Sequence, residues 1–306
     1  MTLRFVLRFS PKIGNFRGPL LRVIALAFCV GAIPFLLCAH AYEQETNDSV
    51  VVAKQQNPWL DDYHKHIGFT YGAEAKIQTA YLYRGRYCGG PNIQGEASVG
   101  YGGLYGVMWW NIGVETWEFK TFQPEVDVII GFARWGLDIS MLYVHNFDHR
   151  FFDLTNYPSG GNSIELRARY TVSSKLPLSI LWATRVGGAD GYIDPVSGDT
   201  IRAWSSYLEI SYTHRFPYDI SLYGGVGLTP WKSRFTRFKR DFAVPVLELR
   251  LRKDWDMGNR CGLMLQGTLL INPSALADDH SSYRWHPYDP WNQSINTNIA
   301  FGVYLK

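Results

Sequence analysis

Residues 247–252 read Leu247-Glu248-Leu249-Arg250-Leu251-Arg252, with leucine at every odd position and a charge at every even one. A helix would wrap these charges around its circumference, whereas an extended strand sends alternate side chains to opposite faces. The segment is therefore a strand, apolar on one side and charged on the other. Working outward, Ile164, Leu166, Ala168, Tyr170 and Val172 alternate with Glu165, Arg167, Arg169 and Thr171. Ile295, Thr297, Ile299, Phe301, Val303 and Leu305 alternate with Ser294, Asn296, Asn298 and Gly302. From Ile67 to Tyr83 the odd positions are again mostly apolar, while Thr70, Glu74, Lys76 and Gln78 are even. Looser alternation marks Ile93–Tyr101, Leu104–Trp117, Glu125–Ala133, Leu137–His145, Leu178–Val186, Trp204–Thr213, Ile220–Leu228 and Cys261–Asn272. The total is about 12 strands.

Connection lengths add independent information. Gly102-Gly103 alone joins the second and third strands, and Arg134–Gly136, Ser173–Pro177, His214–Asp219 and Lys253–Arg260 are also short. The connections between them, Arg84–Asn92, Glu118–Pro124, Asn146–Asn162, Gly187–Arg202, Thr229–Asp241 and Pro273–Trp291, are mostly longer. Such short/long alternation belongs to an antiparallel meander with one compact rim and one looped rim. A soluble β-sandwich also alternates, but its strands run about 5–6 residues. Most strands here approach the roughly 9–11 residues that a tilted strand needs to cross a bilayer. Aromatics gather near strand ends (Tyr81, Tyr83, Trp117, Tyr143, Phe147, Trp204, Tyr212), as interfacial girdles do. The predicted fold class is all-β: an antiparallel up-and-down transmembrane β-barrel in a bacterial outer membrane.

Composition agrees. Only 19% of the 306 residues are charged and 15% are aromatic, which excludes a disordered polyelectrolyte. Past the N-terminus no apolar run approaches the roughly 20 residues of a membrane helix. The first 41 residues differ: Arg4, Arg8, Lys12, Arg17 and Arg22 precede the apolar run Val23–Leu37 and then Ala39-His40-Ala41. This is the layout of a signal peptide cleaved after Ala41. Residues 42–66 read as a polar tether and 67–306 as the barrel. Cleavage removes five basic residues and no acid, leaving 25 basic residues against 27 acidic ones. Nucleic acid is therefore not an expected partner. Cys88 and Cys261 remain; an exported protein permits a disulfide between them, and two separate small side chains is the simpler reading.

If lipid covers the apolar face, the alternate residues line the lumen. By parity these include Glu74 and Lys76 from the first strand, Arg84 and Arg86 just beyond its end, Asp127 and Asp138 from the fourth and fifth, and Glu165, Arg167 and Arg169 from the sixth. Arg185, Glu209, Glu248, Arg250 and Arg252 follow from later strands. Turning a basic one toward the bilayer midplane would cost about 2–4 kcal/mol. A two-signed set of this kind could screen an aqueous path for small solutes, or pair across the lumen and fill it.

Other constellations are weaker. His145 and His149, with Asp148 and Asp153, could serve a lipid-acting enzyme, but no nucleophile elbow accompanies them. Asp278, Asp279, His280, His286 and Asp289 share the last long loop and could hold a divalent cation or simply be solvated. Lys232, Arg234, Arg237, Lys239 and Arg240 make another loop basic, suited to lipopolysaccharide phosphates or to water. No catalytic residue, metal site or cofactor is expected.

Three stretches carry a family resemblance: Tyr81-Leu82-Tyr83-Arg84-Gly85, then Gly90-Pro91-Asn92-Ile93-Gln94-Gly95, then Gly103-Leu104-Tyr105-Gly106-Val107-Met108-Trp109-Trp110-Asn111-Ile112. In this order they resemble the opening of the TorF-type porins, a bacterial outer-membrane family. Glu125-Val126-Asp127 and Gly136-Leu137-Asp138 look like that family's next hairpin. The resemblance covers roughly residues 75–145 and implies an outer-membrane barrel that acts as a porin or small-solute channel, surrounded by lipid and lipopolysaccharide. It implies no catalytic residues.

Overall fold

The computed structural model describes residues 69–114, 124–157, 161–173, 175–236, 238, 240–258, 260–274 and 295–305. The signal peptide, the tether, Trp117, Arg237, Lys239 and the His/Asp group at 278–289 lie outside the described residues.

Twelve strands form one closed antiparallel barrel. They are β1 (Phe69–Gln78), β2 (Asn92–Tyr101), β3 (Leu104–Gly113), β4 (Glu125–Arg134), β5 (Leu137–Asn146) and β6 (Ser163–Thr171). β7 (Leu178–Gly188), β8 (Ser206–Phe216), β9 (Ile220–Thr229), β10 (Ala243–Asp256), β11 (Cys261–Ile271) and β12 (Ile295–Leu305) complete it. Each strand pairs with its sequence neighbours, and the ring closes where β1 meets β12, from Ala73↔Leu305 to Gln78↔Ala300. Closure leaves no strand edge unpaired, and β1 begins and β12 ends at the short-turn rim. Tight turns there use residues that tolerate positive φ, such as Gly102 and Gly103.

Sidedness follows the parity of the sequence. Leu247, Leu249 and Leu251 point outward at 38–53% exposure, as do Ile299 and Phe301 on β12, Ile139 and Met141 on β5 and Ile210 on β8. An apolar belt that circles the whole barrel far exceeds the scattered patches of a water-soluble surface. Hydrocarbon is the solvent that such a belt requires. Gly95 on β2 lets the belt lie flat at one point, since a Cβ there would sit 2.1 Å from the Trp110 ring.

Two expectations change. The first strand stops at Gln78 rather than continuing to Tyr83. Tyr81–Tyr83 and Arg86–Gly89 instead form a separate two-stranded hairpin, so Tyr81 and Tyr83 are not girdle residues. Tyr143 is also no open girdle residue, being only 7% exposed. Phe151 and Phe152 from the following loop pack on its ring, and its hydroxyl accepts the Phe152 N–H at 2.9 Å. Trp204 and Tyr212 remain exposed as expected. Cys88 and Cys261 form no disulfide.

Leu249→Arg should lower stability by about 2–4 kcal/mol in a bilayer, because it puts a guanidinium on the lipid face, whereas Leu249→Ile should cost far less. Urea unfolding of protein folded into phospholipid vesicles, followed by tryptophan fluorescence, measures both. Equal midpoints for Leu249→Arg and the parent would contradict the assigned faces.

Candidate functional site: a polar lumen under an inner hairpin

The inward positions enclose a cavity of about 850 Å³, within the range of about 300–1,000 Å³ typical of ligand sites. Eleven of the 14 sequence-predicted residues line it: Glu74, Lys76, Arg84, Asp127, Asp138, Arg167, Arg169, Glu209, Glu248, Arg250 and Arg252. Arg86, Glu165 and Arg185 do not. They sit around the inner hairpin, with Glu165 and Arg185 almost fully buried.

Most lumen charges pair along the wall and not across it. Arg250 bonds Glu248 on its own strand, Arg252 bonds Asp254 at 2.9 Å, and Arg167 Nε donates to Glu165 Oε1 at 2.7 Å. Residues two apart on a strand share a face, so these pairs hold the side chains flat against the barrel. Arg252 also reaches Glu74 of β1 at 3.0 Å, and Lys76 lies 3.6 Å from Glu74. Tyr207 and Tyr223 both donate to Glu209, each at 2.8 Å, and Tyr105 donates to Asp138 at 2.6 Å. The axis of the barrel is left to the cavity.

The segment between β1 and β2 does reach across the lumen. Gln78 and Asn92 face each other in the register of β1 and β2, so two or three residues would have sufficed to turn the chain. Residues 79–91 instead fold inward. The hairpin turns at Arg84 and Gly85, with φ of 46° and 81°. Gly85 is required there, because a Cβ would lie 2.1 Å from the Pro245 carbonyl oxygen. Its own carbonyl accepts from Asn272 Nδ2 at 3.1 Å. The Arg84 guanidinium forks onto Glu165 of β6, with Nη1–Oε2 at 2.6 Å and Nη2–Oε1 at 2.8 Å. The same guanidinium lies 4.5 Å from the centre of the Tyr207 ring and 5.0 Å from that of Phe235, favourable cation–π distances. Tyr81 donates to Glu125 at 3.0 Å and packs on Trp109. The underside of the hairpin, at Tyr81 to Arg84, borders the cavity.

Parity reasoning misses the lumen aromatics Tyr105, Trp109, Tyr207 and Tyr223. A signal for one of them exists: Gly227, facing inward opposite Glu209, leaves room for Tyr207, whose hydroxyl would meet a Cβ there at 2.2 Å. Arg84 and Arg86 reach the interior on the hairpin, not on a barrel strand.

His145 faces outward beneath Phe147 and Phe151. Its Nδ1 lies 3.1 Å from Asn162 Oδ1, so its partner is a side-chain amide and not a hydroxyl. His149 lies 4.0 Å from Asp153. The basic loop after β9 also turns inward: Phe235, in the short 3₁₀ turn Arg234–Thr236, is 2% exposed.

A barrel apolar outside and polar inside has the porin type of architecture. No family model matches the chain, and no curated protein matches it. Among solved structures, the chain is similar to the KdgM porin, with 8% identity over 77% of this chain and 98% of that one and a TM-score of 0.39. It is similar to the NanC porin, with 14% identity over 78% and 100% of the two chains and a TM-score of 0.43. It is also similar to the CymD monoaromatic hydrocarbon channel, with 10% identity over 79% and 88% and a TM-score of 0.38.

Glu165→Leu should cost about 3–5 kcal/mol by leaving Arg84 buried and unpaired. Adding Arg84→Met should recover most of that loss. Urea midpoints of the two single variants and the double variant form the cycle; additive losses would contradict a direct coupling between the two side chains.

Proposed function

We propose that the chain is an outer-membrane porin, a passive channel for small polar solutes, with the inner hairpin as its constriction. The observation that carries this reading is the cavity along the barrel axis, bordered by charges of both signs that are neutralised along the wall. Water is the natural filling for a space so lined. Glu74, Lys76, Arg169, Glu209 and Arg250 are the side chains that a passing solute would meet below the hairpin, with Arg84 at its tip.

The Tyr81–Gly85 and Gly90–Gly95 motifs support a finer reading, membership of the TorF-type porins. They supply the hairpin and its exit into β2. Outer-leaflet lipid and lipopolysaccharide are the partners this reading gives the apolar belt. The hairpin also favours a second reading, an envelope anchor whose lumen is closed, because the Arg84–Glu165 fork holds it across the bore.

Planar-bilayer recording separates the two. The channel reading predicts conductance steps from the refolded parent protein, and larger steps when residues 80–90 are replaced by a two-residue Asn-Gly turn between β1 and β2. Steps in the shortened variant alone would favour the closed anchor. Steps in neither would defeat the channel reading.

A further inference from the structure

On the wall of the cavity one carboxylate stands apart. Glu96 of β2 faces inward and borders the cavity, yet it accepts no hydrogen bond and forms no ion pair among the described residues. Its neighbours on the same face of the strand are Gln94 and Ser98, which donate to Asn111 Oδ1 and to the Gly72 carbonyl, each at 3.4 Å. The bases nearest to Glu96 are Lys76 and Arg252. Both are engaged by Glu74, which lies directly opposite Glu96 in the register of β1 and β2. Arg252 also serves Asp254. Three acids therefore share two bases at this place.

The adjoining charges do not make up the difference. Arg250 is bound to Glu248. Asp127, two strands away, lies among Arg167, Arg185, Glu125 and Glu165. Over the whole cavity, nine of the described lining residues are acids and seven are bases. Behind the wall, Glu125, Glu165 and Asp190 equal Arg86, Arg185 and Arg234 in number, so the excess stays negative.

Trp109 stands next to Glu96. The two are directly opposed in the register of β2 and β3, which brings their Cβ atoms to about 4.5–5.5 Å on one face. Tyr81 of the hairpin packs against the indole, with ring centres 5.6 Å apart, and both rings border the cavity. The face of an indole attracts cations through its quadrupole, most strongly where water is scarce. A neutral solute gains nothing from the excess of acid, and an anion is repelled by it.

We propose that Glu96 and Trp109 form a binding site inside the lumen for a small organic cation, one bearing an ammonium or guanidinium group. The carboxylate accepts charge-assisted hydrogen bonds from the N–H donors, and the indole attracts the same charge from its side. The bound cation supplies the positive charge that the three acids lack. As a step in transport the site rests on the channel reading; as a binding site it does not.

Isothermal titration of the refolded protein in a non-ionic detergent tests the site without requiring conductance. The probes are butylguanidinium and its uncharged analogue butylurea. Saturable binding of butylguanidinium, one per barrel, is expected, with butylurea weaker by about tenfold or more. Glu96→Gln keeps the shape and removes the charge, and should weaken butylguanidinium by about tenfold, the loss of one charge-assisted contact. Trp109→Leu should weaken it by about fivefold through loss of the ring face. Asp219→Asn makes the same change of charge at the exposed rim of the cavity and should leave binding within about twofold. Heat-shift electrophoresis checks that each variant is folded. The site is overturned if butylguanidinium does not saturate, if butylurea binds equally well, or if Asp219→Asn weakens binding as much as Glu96→Gln does. Binding in a protein that gives no conductance steps counts against the channel and for the site, and steps without binding do the reverse.

Discussion

Hydrocarbon offers no partner for a backbone N–H or C=O, so a sheet can enter it only as a ring. The pairing of β1 with β12, from Ala73↔Leu305 to Gln78↔Ala300, supplies the last seam. Once that seam exists, every strand has two neighbours and every residue has a fixed side. Leu249 must meet lipid because Arg250 cannot, and the same exclusion sorts the remaining strands. The charged interior is thus a consequence of closure in a bilayer and needs no separate explanation.

What the interior does with its charge is a second matter. Twelve strands enclose more space than wall side chains fill when those side chains pair with neighbours on their own strand. Arg250 with Glu248, and Arg252 with Asp254, are held in this way. The hairpin after β1 then narrows the bore at the long-loop end. Its tip is fixed from several sides at once: Glu165 by charge, Tyr207 and Phe235 by ring faces, Pro245 by close backbone approach. A segment anchored so tightly is a structural element, and the fork of Arg84 on Glu165 is one of the contacts by which it spans the lumen.

Much of this was legible in the sequence. The strand number, the short and long rims and the inward parity of residues such as Glu74 and Arg167 follow from period two, because lipid on one face imposes it. The hairpin was not legible, since the odd-position pattern carries on past Thr79 from Ile77 to Tyr81 and Tyr83 although the strand ends at Gln78. An aromatic packed in the lumen and one lying at the membrane interface look alike to a periodicity reading. His145 shows the reverse failure: its side faces outward, yet a loop bearing Phe151 covers it. The inward fold of Phe235 and Arg234 belongs to a loop, where no period exists to be read.

The central claim is that lipid bathes one set of side chains and water the alternating set. Single spin labels placed in turn at positions 247 to 252, in a background with Cys88 and Cys261 replaced, test it directly by collision with oxygen and with a water-soluble nickel chelate in bilayers. The account predicts that oxygen contact peaks at 247, 249 and 251 and is low at 248, 250 and 252. Nickel contact should follow the opposite phase wherever the cavity reaches the label. A profile without period two, or one with its phase reversed, would contradict it.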